Sequence, residues 1–249
     1  MSLIYEERSS DSPYVETIMQ GQTVSDGSTV RPAESHWHMV FTRHSGRIHP
    51  LVVGPWSSSG IASWGAGAEI LWVKFKLGVF MPHLPTRDCL DSETLLPNTA
   101  SRSFWLKGSA WQFPDYENVE TFVEWLVRDE VLVSDPVVNA ALQDQLPPQA
   151  MSPRTVRHRF LQATGLSQSH IRQMKRVQQA ATLLEQGVSI LDTVHQADYF
   201  DQPHLTRSLK RFIGKTPAQL GQTNTSVCHS VQDILLLPDY NTNVLTETQ

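Results

Sequence analysis

The spacing of apolar positions changes character once along this chain. Between residue 14 and about residue 111 the apolar residues come in short runs, 37–41, 50–53 and 70–75 among them, punctuated by Gly/Ser/Pro clusters such as 54–60. Runs rich in β-branched and aromatic residues between turn formers predict the strands of a small sheet or barrel. The polar residues 1–12 are expected to be loose. From Asn118 the period lengthens, and Val119, Phe122, Val123, Leu126 and Val127 line one face of a helix ending near residues 128–130. That helix has two readings, a cover for the open side of the barrel or a pairing surface between two copies.

The later helices follow from their start and stop residues. Asp135 caps one with Pro136 at its first position and Val137, Val138, Ala141 and Leu142 as its packing face; residues 146–150, with two prolines, end it. Ser152 and Pro153 begin the next, in which Val156 and Phe160 point inward while Arg154, Thr155, Arg157 and His158 point outward. Ser167 caps a long helix to about Gln186, with Ile171, Met174, Val177, Ala181 and Leu184 at three- and four-residue spacing and Gly187 at its end. Two short helices and a tight turn come last. Ile190, Val194 and Ala197 line the first, residues 198–200 break the pattern, and Asp201 caps the second, with Pro203 harmless in its first turn. Leu205, Leu209 and Phe212 make its buried stripe; Gln202, His204, Thr206, Arg207 and Lys210 lie opposite or at the margin. Gly214 can end it with a left-handed cap, and Pro217 prevents resumption. Beyond residue 220 the chain is polar apart from an apolar patch at 234–237, and its end is expected to be disordered.

A helix that is apolar beneath and offers amide, hydroxyl and guanidinium groups above fits the reading of base edges. Periodicity alone describes an ordinary helix pair as well. Charge shifts the balance. The net charge of −5 argues against nucleic acid until it is divided: residues 151–220 hold ten Lys/Arg against four Asp/Glu, a net +6, which leaves −11 elsewhere. Such a split describes a basic module fused to an acidic one, of which only the first need meet phosphate. All seven tryptophans precede residue 151. The long helix, roughly 28 Å at 1.5 Å per residue, is suited to holding two reading helices near the ~34 Å repeat of successive major grooves.

Other function classes lose ground. No apolar run reaches the ~18 residues of a membrane span, residues 1–13 lack the apolar core of a secretory signal, and Cys89 and Cys228 are too few and too far apart for a disulfide framework. A cytoplasmic location is expected. There is no zinc-finger spacing, phosphate loop, nucleophile elbow or paired carboxylate frame, so no catalytic residue, cofactor or metal ligand is assigned and the chain is not expected to be an enzyme. The motif His36-Trp37-His38, with His44, His49 and His83 nearby, leaves a choice. On one strand both rings would share a face, as in cupin metal sites, yet the Glu expected a few residues on is replaced by residues 39–43. The histidines are then structural or ligand-contacting, and the alternative is a cupin-like metalloenzyme with an accessory helical domain. Cys89 is as readily buried as reactive.

The stretch 187–220 resembles the second helix-turn-helix of the AraC/XylS family of bacterial transcription regulators. The matching residues are Tyr199-Phe200 after the turn, the polar start 201–204, Leu205-Thr206-Arg207, and Lys210-Arg211-Phe212 followed by Gly214 and Pro217. One departure is Asp198 where the family usually has Gly; Asp tolerates positive φ better than most residues. Residues 152–167 resemble the family's first recognition helix, although the short helix before it is compressed into residues 146–151. More faintly, residues 31–38 and 53–55 are similar to the cupin-like domain that many members place first.

The resemblance implies an α+β chain: an amino-terminal mostly-β cupin-like barrel with a flanking helix, then an all-α double helix-turn-helix domain. Residues 1–132 would be the effector-sensing and dimerisation domain, 133–221 the DNA-binding domain and 222–249 a polar tail. The implied activity is sequence-specific regulation of transcription. Duplex DNA would be read by Arg154, Thr155, Arg157, His158, Gln202, His204, Thr206, Arg207 and Lys210, with Arg157 and Arg207 on bases or on phosphate. Further partners that it allows are a small-molecule effector, RNA polymerase and a second copy of the chain; a regulator without small effector stays open.

Overall fold

The computed structural model describes residues 3–84, 86–100, 102–143 and 151–221. Two strands, β4 (His38–His44) and β7 (Glu69–Phe75), sit at the centre of an antiparallel six-stranded sheet, and their sequences explain why. Successive side chains of a strand point to opposite faces. Met39 and Phe41 of β4 and Leu71, Val73 and Phe75 of β7 enter one apolar core, while Val40, Ile70 and Trp72 enter a second on the other face. A sheet apolar on both sides must be covered on both. The remaining strands run outward in the order β1 (Leu3–Ser9), β2 (Val15–Thr23), β7, β4, β5 (Arg47–Val53), β9 (Glu93–Leu95).

A ribbon of β3 (Gly27–Arg31) and β6 (Gly60–Trp64) covers the second face, placing Ala62 and Trp64 over it. The first face receives β10 (Asn98–Ala100), β11 (Ser103–Leu106) and β12 (Ser109–Gln112), together with helix α2 (Val119–Arg128). Phe122 of α2 meets Phe41 and Trp111 edge-on at ring separations of 6.1 Å each. The predicted stripe Val119, Phe122, Val123 and Leu126 is buried here, so α2 acts as a cover, while Trp125 stays exposed on its far side. The short α1 (Thr86–Cys89) follows β8 (Val79–Phe80), which pairs with β13 (Val133–Ser134). Cys89 is buried, and burial pushes its thiol pKa up, away from reactivity.

One expectation about the strands is corrected. Residues 3–9 are not loose: β1 pairs along β2 from Leu3 opposite Thr23 to Ser9 opposite Thr17. The bonds are backbone to backbone and need no apolar run. Leu3 anchors one end in the second core, and Arg8 anchors the other through Glu120 at 3.1 Å and the Tyr116 carbonyl at 3.0 Å.

The rest is helical: α3 (Pro136–Leu142), α4 (Pro153–Thr164), α5 (Gln168–Glu185), α6 (Ile190–Gln196), α7 (Gln202–Phe212) and α8 (Pro217–Gly221). With its antiparallel sheets and this helical segment the chain is of the α+β class. The caps are the predicted ones. Asp135, Ser152, Ser167 and Asp201 each accept from a backbone N–H in the first turn of the helix they precede, as does Ser189 before α6. Pro217 does not stop the chain from coiling again; it starts α8, where a missing N–H costs nothing. The segment 144–150, the apolar patch 234–237 and the polar tail lie outside the described residues. No helix among those described is long and apolar enough to cross a membrane.

Candidate nucleic-acid interface

Helices α6 and α7 are joined by a turn at Asp198, whose φ of +54° is the left-handed conformation expected where glycine is usual. Tyr199 then folds inward and Asp201 opens α7, its Oδ1 accepting the His204 amide at 2.7 Å. Leu205, Leu209 and Phe212 are buried along one side of α7. Gln202, Arg207 and Lys210 are exposed on the other, while His204 and Thr206 are half-buried. The His204 ring rests edge-on against Tyr199 at 5.1 Å, and the Arg176 guanidinium lies over that same tyrosine at 4.7 Å. His204 is thus tied to the turn more closely than its sequence position implied.

In α4 the residues Arg154, Thr155, Arg157 and His158 are all exposed, and Phe160 is buried. The Thr155 hydroxyl also bonds the capping Ser152 hydroxyl at 2.9 Å. Arg159 faces away from this group. Its guanidinium makes two 2.9 Å bonds to the Asp135 carboxylate, which in turn accepts the Val137 amide at 2.9 Å, so one acid caps α3 and holds α4. Between the two polar faces runs α5. Its 18 residues extend about 27 Å, with Ile171, Met174, Val177, Ala180, Ala181 and Leu184 buried along it.

Sequence reasoning missed what holds the far ends of α4 and α7. The last carbonyls of a helix have no intrahelical donor, and here the β-rich part supplies them. Ser59 donates from its amide to Arg211 O at 2.8 Å, and its hydroxyl reaches the carbonyls of Lys210 and Arg211. The Ala33 amide donates to Phe212 O at 2.7 Å. On α4, the Trp37 indole N–H donates to Ala163 O at 3.2 Å and the Thr86 hydroxyl to Gln162 O. His170 near the start of α5 donates from Nε2 to Ser57 O at 2.9 Å. The loop carrying Ser57 and Ser59 is itself braced: the Arg31 guanidinium stacks 3.7 Å from the Trp56 ring, and burial lowers its pKa to about 10 against the pull of Asp91, Glu93 and Glu34.

The His36-Trp37-His38 motif resolves into three separate jobs. Trp37 caps α4. His36 lies before β4, bonded to Glu34 and 3.1 Å from Glu16, with Lys74 3.0 Å from Glu34. His38 is buried within β4, its Nδ1 accepting the Trp72 indole N–H at 2.8 Å. Burial pushes the His38 pKa down to about 3, so the ring is neutral. The two histidines are not a pair on one strand face. Among the described residues no three His, Cys, Asp or Glu side chains converge as a metal would need.

A cavity of about 630 Å³ opens elsewhere, between the sheet and residues 113–116. Phe41, Leu71, Phe113 and Tyr116 contribute its apolar and aromatic surface, and the Arg43–Glu69 pair, 3.2 Å apart, lies on its rim. Phe41 belongs to the same strand as His38 and follows Trp37 by four residues.

A helix-turn-helix domain family matches residues 149–223. The HTH-type transcriptional regulator RipA of Corynebacterium glutamicum is 36% identical over 89 residues, which cover 36% of this chain. The match spans 27% of that relative, so about a quarter of the curated protein is represented here. No solved structure matches the chain. The matched region holds α4 to α8, with the capped helices and the turn at Asp198 already described. Over residues 149–223, then, the chain carries an AraC-type helix-turn-helix domain.

Proposed function

We propose that this chain is a sequence-specific DNA-binding regulator of transcription in which residues 133–221 read duplex DNA and residues 1–132 sense an effector. The observation that carries the reading is the pair of polar helix faces, on α4 and α7, joined by α5, which is buried along one face. Arg157 and Arg207 contact bases, because a guanidinium pairs bidentately with guanine. Gln202 suits adenine, with Arg154, Thr155, His158, His204 and Thr206 completing the contact and Lys210 meeting phosphate. The basic segment, +6 over residues 151–220, supplies the salt-dependent part of the affinity.

The cavity beside Phe41 takes a small effector with an apolar or aromatic body. Its occupation is felt at α4 through β4, which leads from Phe41 back to His38 and the Trp37 cap. Binding there shifts the population of arrangements in which both reading helices fit the duplex. The cytoplasm is where such a protein acts, alone or as a dimer, with RNA polymerase as its downstream partner.

Selection of bound duplexes from a random pool by the full-length protein tests this directly. One enriched motif, or two half-motifs about one helical turn apart, is the expected result. Binding that falls with salt and shows no preference for any sequence would overturn the proposal.

A further inference from the structure

We infer that Phe200 is an additional specificity-determining residue, which reads the 5-methyl group of a thymine in the major groove; the inference rests on the reading of α7 as a recognition helix. At 92% exposure its side chain is the most open large apolar group among the described residues. A single exposed apolar side chain is ordinary on a protein surface, so it is the placement that carries the argument. The positive φ at Asp198 turns the chain, and Tyr199 goes inward to 6% exposure beneath Arg176 and against His204. With Tyr199 committed to the core, its neighbour is sent outward. The next residue, Asp201, spends its carboxylate on the His204 amide. The phenyl ring therefore stands at the amino-terminal mouth of α7, two residues before the exposed Gln202.

Recognition helices present their amino-terminal residues to base edges. The exposed side chains of α7 assigned to bases, Gln202 at its start and Arg207 in its middle, are polar and suited to donors and acceptors. What they cannot recognise is the apolar feature of a base edge in the major groove, the thymine methyl, and a phenyl group is one of the side chains that can. The ring contributes little to the fold, since at 92% exposure almost none of its surface is withdrawn from water, in contrast to the buried stripe of Leu205, Leu209 and Phe212.

The test uses the full-length protein and the duplex selected above, with each thymine replaced in turn by deoxyuridine, which lacks only the methyl. The wild type is expected to bind about three- to fivefold more weakly at one thymine, the worth of one buried methyl, and Phe200→Ala to bind the two versions of that site equally. Phe200→Leu should retain part of the discrimination. If Phe200→Ala and wild type respond alike to every replacement, or the motif contains no thymine, the inference fails while the DNA-binding reading stands. If Phe200→Ala binds all sites normally yet loses regulation in cells, the ring serves a protein partner and the inference likewise fails. Absence of any selected motif removes both.

Discussion

The backbone amide of Ala33, in the β-rich part, donates to the carbonyl of Phe212 at the end of α7 at 2.7 Å. A loop that follows β3 thus completes the last turn of a helix 179 positions further along the chain, and Trp37 does the same for α4 at Ala163. Neither donor can be supplied from within the helix.

Replacing Trp37 by Phe keeps the apolar body and removes the donor. The Ala163 carbonyl is then left in a buried place without its partner, at an expected cost of about 1–3 kcal/mol. Urea denaturation reads this as a lower midpoint with an unchanged slope. A midpoint equal to that of the parent would mean that water serves the carbonyl equally well.

Gly214 is fixed by two independent constraints. Its φ of +78° is strained for any residue with a Cβ, and a Cβ built there would lie 2.3 Å from Cγ1 of Val30. Left-handed strain of about 1–2 kcal/mol and overpacking of about 1–3 kcal/mol together predict a loss of about 2–5 kcal/mol for Gly214→Ala. Gly187→Ala is the control, since its φ is +84° but nothing lies within 4 Å of the added carbon. It should lose only the first part in thermal or urea denaturation. Equal losses at the two sites would show that the contact with Val30 relaxes freely.

Arg207→Ala is expected to weaken operator binding by ~1–3 kcal/mol and to relax preference at one base position. Arg157→Ala should do so at a different position. Lys210→Ala should lower affinity uniformly across sequences and reduce the salt slope by about one. Competition binding with single-base operator variants distinguishes the three. A uniform effect of Arg207→Ala would reassign that side chain to phosphate.

Acid sensitivity follows from His38 and Glu34. The His38 ring has a pKa near 3 when folded against an ordinary 6.5, so below about pH 6.5 the unfolded chain takes up a proton that the folded chain refuses. Its stabilising effect is complete above 6.5 and is lost as pH falls toward 3, at about 1.4 kcal/mol per pH unit for one proton. Burial alone would raise the Glu34 pKa; His36, Lys74 and the hydrogen bond from His36 outweigh it and hold the carboxyl well below its ordinary 4.5. That adds a second loss in the same direction, beginning under pH 4.5. Folding free energy measured from pH 7 to 4 should therefore decline, and His38→Gln, which keeps an acceptor for Trp72, should flatten the part between 6.5 and 5. A profile unchanged by that substitution would remove His38 as its source.

The helical elements were legible because their signals are local. Ser152 with Pro153, Ser167, and Asp201 announce helix starts within three residues, and the stripe Leu205, Leu209, Phe212 is visible at i, i+4, i+7. Even the substitution of Asp198 for glycine pointed to the conformation found, φ +54°. The β1 strand was not legible, since Leu3–Ser9 has no alternating apolar pattern and is set by register with β2 and by Arg8 reaching Glu120. The same limit hid the capping donors. Nothing about Ser59, Ala33 or Thr86 in sequence tells which distant carbonyl lacks a partner. His36 and His38 were misleading for a related reason: the spacing invited a shared face, while the chain places His36 ahead of β4 beside Glu34.

The exchange of donors across the chain bears on how its two halves could be recombined with others. A helical half cut out and fused to a foreign domain would carry unpaired oxygens at Gln162, Ala163, Arg211 and Phe212, and a host that covers them would have to offer matching N–H or O–H groups at four separate places. Modular exchange at the linker, which the order of the elements invites, is therefore constrained by chemistry far from the cut.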